Sequence, residues 1–86
     1  MERENQLFTF GCGHTFANRF VVIEAETKER CREIMFETFD CKWSMQYDYE
    51  DKQKLESHGM KAIVNITELS DGRRVTEMRE QTIVRL

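Results

Sequence analysis

Between Leu7 and Tyr47 the spacing of apolar residues changes twice, and those changes restrict the fold more than any other feature of the chain. Leu7-Phe8-Thr9-Phe10 is aromatic and β-prone. Arg19–Ala25 alternates, with Val21, Ile23 and Ala25 on one face and Phe20, Val22 and Glu24 on the other. From Lys28 the period lengthens, and Cys31, Ile34, Met35, Thr38 and Phe39 follow the i, i+3, i+4, i+7, i+8 spacing of a helix. Thr27 stands where an N-cap would, its hydroxyl able to accept an orphan amide hydrogen, so the spacing predicts a helix over about 28–39. A period of two returns at Trp43, Met45 and Tyr47, separated by Ser44 and Gln46. That reads as a half-buried strand whose large side chains enter the core.

The second half continues in the same style. Asp48 is placed to cap a short helix over about 49–58, with Gly59 at the C′ position where a positive φ is needed. Met60–Leu69 alternates, which puts Ala62, Val64 and Ile66 on one face. Ser70-Asp71-Gly72 is a turn. Arg73–Leu86 reads as a last strand, but the phase of Val75 and Met78 disagrees with that of Val84 and Leu86, so a bulge or a strand break near Arg79 is expected. The order is β-β-α-β-α-β-β. It predicts a single α+β domain over 1–86, an antiparallel sheet packed on one main helix. A chain of 86 residues buries only roughly 60–65% of its unfolded surface, which leaves little room for an enclosed active site beside a core.

The net charge of −3 argues against direct binding to nucleic acid phosphates. No apolar run approaches the ~20 residues that span a bilayer, and Met1–Gln6 is too polar for a signal peptide, so a cytoplasmic protein is expected. Cys12, Cys31 and Cys41 are three in number, so they cannot all pair within the chain, and free thiols are the expectation. Asn65-Ile66-Thr67 matches a glycosylation acceptor, which has no consequence without secretion.

Cys12 and His14, in a loop with Gly11 and Gly13, are the nearest approach to a chemical pair. A Cys–His nucleophile needs a third group to orient the imidazole, and the loop supplies none. Zinc would need four ligands, for which Cys12, His14, Cys41 and either Cys31 or His58 are the candidates, but no C-x₂-C or H-x₃-H spacing exists. Gly11-x-Gly13 lacks the third glycine of a dinucleotide cradle and opens no helix. No catalytic residue, cofactor or metal is therefore expected. Cys31 reads as a small core residue, Cys12 as a loop residue and His14 as a hydrogen-bonding loop residue. Recognition is the better outlet for such a surface. The candidate contact residues are His14 and Phe16 in the first loop, and Tyr49, Glu50 and Asp51 in the acidic segment. Acidic side chains there can stand in for phosphates in the basic groove of another protein. Phe36 lies off the main helical stripe, at the core edge or in a contact surface.

Phe8-Thr9-Phe10-Gly11, Gly13-His14, Asn18–Ala25, Cys31-Arg32, Met35-Phe36, Phe39 and Lys42–Tyr47 together resemble a family of small proteins encoded by phages and prophages of Gram-positive bacteria. The resemblance covers the first half of the chain. Family members commonly carry glycine where this chain has Asp40 and alanine where it has Cys31, and the tail from Met60 departs from the usual short ending. The resemblance implies phage origin and an accessory or counter-defence role of the anti-CRISPR kind. The leading expectation is a non-enzymatic binder that occludes a host protein such as a defence nuclease. Two alternatives stand beside it. One is a structural or regulatory accessory protein that forms a homodimer through an open sheet edge. The other is a small metal-binding module built on Cys12, His14 and Cys41.

Overall fold

The computed structural model describes residues 3–11, 16–40 and 42–78. Strand β1 (Glu4–Phe10) is followed by β2 (Arg19–Ala25), helix α1 (Lys28–Phe39) and β3 (Trp43–Asp48). A 3₁₀ turn at Tyr49–Asp51 leads into the short helix α2 (Lys52–Ser57), then β4 (Lys61–Glu68) and β5 (Arg74–Met78). The strands form one sheet in the order β3-β1-β2-β4-β5, so the α+β class and the element order agree with the sequence reading. The bulge or strand break expected near Arg79 and the rest of the segment to Leu86 lie outside the described residues.

The sheet is mixed, which corrects the antiparallel expectation. β1–β2, β1–β3 and β4–β5 are antiparallel, but β2 and β4 run parallel. A parallel neighbour requires a long crossover, and the stretch from α1 through β3 to α2 supplies it. Alternation within a strand says which face is buried and nothing about which strand lies alongside, so this pairing could not be read from local pattern.

Both faces of the sheet carry apolar side chains. On one face Phe8, Phe10, Val21, Ile23, Ala25 and Val64 meet Cys31, Ile34 and Met35 of α1. On the other a smaller cluster of Leu7, Phe20 and Val22 is covered by Leu55 of α2, with Tyr47, Met60 and Ala62 packed at its margin. The β2 alternation and the α1 stripe therefore do what their periods require.

Two bulges redirect the strands where the sequence reading kept a simple period. In the β1–β3 ladder Thr9 faces Met45 while Phe10 faces Trp43, so Ser44 is passed over. The extra residue turns Trp43 toward α1, whereas Met45 stays on the opposite side and is 52% exposed. Trp43, Met45 and Tyr47 are thus not one core face. In the β2–β4 ladder Phe20 faces Ala62 and Val21 faces Val64, so Ile63 is the extra residue. Ala62 consequently joins the α2 side while Ile63, Val64 and Ile66 lie on the α1 side, which corrects the shared face expected for Ala62, Val64 and Ile66.

The helix ends show which local signals prevailed. Thr27 caps α1, its Oγ1 accepting from the Arg30 amide at 3.0 Å. Gly59 ends α2 with φ +86, as a C′ glycine should. Asp48 does not cap; its carboxylate turns instead to Gln6 and Lys28. Asp40 follows α1 with φ 56 and ψ −134, a combination that is costly for any residue with a Cβ. Asp40→Gly is therefore expected to stabilise the fold by about 1 kcal/mol, the relief of strain exceeding the extra chain entropy of glycine. The check is a higher denaturation midpoint at unchanged m-value; an unchanged or lower midpoint would contradict it.

An ion-pair network ties α1 to the β4–β5 end of the sheet. Arg30 grips Glu68 with Nε at 2.9 Å and Nη2 at 2.6 Å from its carboxylate, and also reaches Glu33 at 2.9 Å. Arg74 pairs with Glu37, and Arg3 joins Glu24 at 2.8 Å while donating to the Glu68 carbonyl.

Candidate functional site

The acidic–aromatic segment begins where β3 leaves the sheet edge. Gln46 Nε2 donates to Gln6 Oε1 at 2.8 Å, and Gln6 Nε2 donates to Asp48 Oδ1 at 3.0 Å. Lys28 Nζ lies 3.2 Å from the same Asp48 oxygen. Gln6 is only 3% exposed, so this chain of bonds satisfies a buried amide while fixing the end of β3 against the start of α1. The Gln6 amide first, and Lys28 second, hold the Asp48 carboxyl below its ordinary value. Asp48 in turn holds the Lys28 ammonium above its own. The network joins the end of β3 to β1 and to the start of α1.

From that anchor the chain turns outward. Tyr49 is 46% exposed, with Lys52 Nζ 5.9 Å from its ring centroid. Glu50 is exposed and Asp51 half-buried. Asp51 lines a polar cleft of about 460 Å³ together with Gln6, Lys28, Arg32 and Gln46. The three sequence candidates Tyr49, Glu50 and Asp51 form a ledge at the 3₁₀ turn, Asp51 lining this cleft and Tyr49 with Glu50 lining a neighbouring one beside Arg3, Glu4, Lys28 and Asp48.

Phe16 is not part of that ledge. Its ring packs on Phe10 at 5.5 Å and on Phe39 at 6.4 Å, at the far end of α1 from Lys28. A helix of 12 residues is roughly 18 Å long, so α1 separates Phe16 from the acidic ledge. Phe16 lines an apolar groove of about 310 Å³ with Phe39, Ile63, Val64, Ile66 and Met78. His14 lies outside the described residues, as do Cys12 and Cys41.

The remaining zinc candidates fall on opposite sides of the sheet. Cys31 is fully buried under α1, its Sγ donating to the Ile23 carbonyl at 3.5 Å, and burial pushes the thiol up to about 11. His58 sits beyond α2, its Nδ1 2.8 Å from the Lys54 carbonyl. One ion cannot take both.

A cluster that the sequence reading undervalued lies on the outer side of α1. Phe36 is 42% exposed and meets Trp43 edge-on at 5.2 Å, with the Arg32 guanidinium 5.8 Å from the Trp43 ring and 6.0 Å from that of Phe36. Trp43 Nε1 is shielded from solvent and has no hydrogen-bond partner among the described residues. The i, i+4 spacing of Arg32 and Phe36 was the available signal for this pair. Its place over Trp43 depends on the bulge at Ser44.

No helix among the described residues is long and apolar enough to cross a membrane. Comparison with protein-family models, with curated proteins and with solved structures returns no match.

Proposed function

We propose that this chain is a non-enzymatic, phage-encoded binding module that inhibits a host defence protein of the nuclease kind by covering its basic surface. The observation that carries the reading is the ledge formed by Tyr49, Glu50 and Asp51. It is an exposed ring beside two carboxylates, held on a strand end that Gln6 and Lys28 fix in place. A tyrosine ring loses little conformational freedom on binding, and the charge of the two carboxylates steers a basic partner into register. The resemblance in the first half of the chain supports the phage origin and the counter-defence role.

The reading predicts that the chain captures a specific basic protein from a bacterial lysate, and that Glu50→Lys with Asp51→Lys weakens capture by about tenfold or more. Raising the salt should weaken the wild-type interaction through its association rate. Binding that survives both reversals at unchanged strength would exclude the electrostatic mechanism, and recovery of no specific protein would exclude the function.

A further inference from the structure

We propose that β5 is a self-pairing edge: two copies of the chain join antiparallel along it, about a two-fold axis at Val75, into one continuous ten-stranded sheet. This inference rests on β5 alone and is independent of the host-binding reading. β5 ends the sheet among the described residues, and all five of its residues are exposed, with Val75 at 53% and Met78 at 50%. Sheet edges that stay single are blunted by shortness, charged side chains (lysine above all), proline or a bulge; β5 is short, but its charges, Arg74 and Glu77, are of opposite sign. β5 contains no lysine or proline, and its ladder with β4 runs from Glu68↔Arg74 to Val64↔Met78 without a register shift.

The geometry of the ladder says which groups face outward. The Leu69 amide donates to the Arg73 carbonyl at 2.7 Å, so Arg73, Val75 and Glu77 direct their backbone groups at β4. Arg74, Thr76 and Met78 then present amides and carbonyls to the free edge. A two-fold axis perpendicular to the sheet keeps both α1 helices on the same side, so residues facing one another must lie on the same face of the sheet. Centring the axis on Thr76 would set Val75 against Glu77. Centring it on Arg74 would set two guanidinium groups together. Only the axis at Val75 gives a self-complementary row, Arg73 against Glu77, Val75 against Val75 and Glu77 against Arg73. Arg74 and Thr76 then exchange the backbone hydrogen bonds. Arg73 is 77% exposed and its contact with Asp71 spans two residues, so it is an easily exchanged surface pair.

Five residues per strand make a small contact, so the dimer belongs with weak, reversible associations. Sedimentation of the full chain from roughly 10 µM to 1 mM should show a monomer–dimer equilibrium. Glu77→Arg places like charges opposite one another at two symmetric points and should weaken the dimer by about tenfold or more, and Arg73→Glu combined with Glu77→Arg should restore it to within roughly threefold. Both positions are exposed, and circular dichroism of each variant confirms folding. Val75→Cys should cross-link to its own copy on oxidation, because facing residues of a non-hydrogen-bonded pair bring their Cβ atoms to about 4.5–5.5 Å. A peptide map must then join the two introduced thiols. A monomer at every concentration overturns the proposal, including one whose Arg74 and Thr76 amides are protected from exchange because residues 79–86 of the same chain cover the edge. A dimer indifferent to Glu77→Arg, or one the double reversal fails to restore, overturns it as well.

Discussion

Phe8→Ala is expected to destabilise the protein by about 3–5 kcal/mol, while Met45→Ala, one ladder position away on the neighbouring strand, changes stability by no more than about 0.5 kcal/mol. Phe8 is fully buried on β1 in the larger cluster beneath α1, and meets Trp43 edge-to-face at 5.1 Å. Truncating it removes the transfer free energy of the ring and leaves a cavity that the surrounding side chains cannot close. Met45 is 52% exposed, so its side chain has little buried area to lose. A chain of 86 residues has a total stability of about 4–13 kcal/mol, so the Phe8 variant should be largely unfolded near the lower end of that range. Denaturant titration of both variants checks the pair. Equal losses would mean that Met45 shares the core with Phe8, and that the bulge at Ser44 is wrongly placed.

That contrast also marks how far local pattern can be read. The helix over Lys28–Phe39, its Thr27 cap and the two-sided β2 were legible, because each depends on neighbours within a few positions. Trp43 and Met45 were not distinguishable, because a bulge is decided by the partner strand and leaves no mark on the alternation of Trp43, Met45 and Tyr47. The same holds for Ile63 beside Ala62. The parallel β2–β4 contact brings together segments more than forty positions apart, and no short-range signal selects it over an antiparallel neighbour. Asp48 shows a competition instead: a good cap residue was drawn away by a buried amide, Gln6, and a cation, Lys28, that only the folded sheet brings near.

The candidate ledge was more legible than its surroundings. Tyr49, Glu50 and Asp51 are contiguous and polar, and they follow one another at the 3₁₀ turn with Tyr49 and Glu50 exposed and Asp51 half-buried. Phe16 stands in the first loop among polar neighbours, yet Phe10 and Phe39 provide it with an aromatic seat. The positive φ of Asp40 is a demand of the backbone that composition alone would not reveal.

Arg30→Met is expected to cost about 1–3 kcal/mol at neutral pH, with a loss that shrinks as the solution is acidified. Methionine keeps most of the aliphatic stem and removes the guanidinium, so packing changes little and the electrostatic part is isolated. The group left behind is Glu68, whose side chain is 12% exposed and accepts from Arg30 at 2.9, 3.2 and 2.6 Å. Those bonds hold its carboxyl below the ordinary value, chiefly through the hydrogen bonds from Arg30 and against the opposing effect of burial. A carboxyl lowered in the folded state stabilises the protein above its unfolded value of about 4.3, and that contribution is lost as the pH falls through the lower, folded value. In the variant Glu68 has lost its main stabilising partner and returns toward the ordinary range, so the pH dependence flattens. Wild type and variant should therefore differ most at about pH 6–7 and converge only as the pH falls through the lowered value of the folded Glu68 carboxyl. Arg74 Nε, 4.0 Å from Glu68, is too distant to replace the bidentate grip. Paired urea titrations across pH 3–7 measure the difference directly. A gap that stays constant with pH would assign the loss to the packing of the Arg30 stem, and the hold of α1 on the β4–β5 end of the sheet would then be apolar rather than ionic.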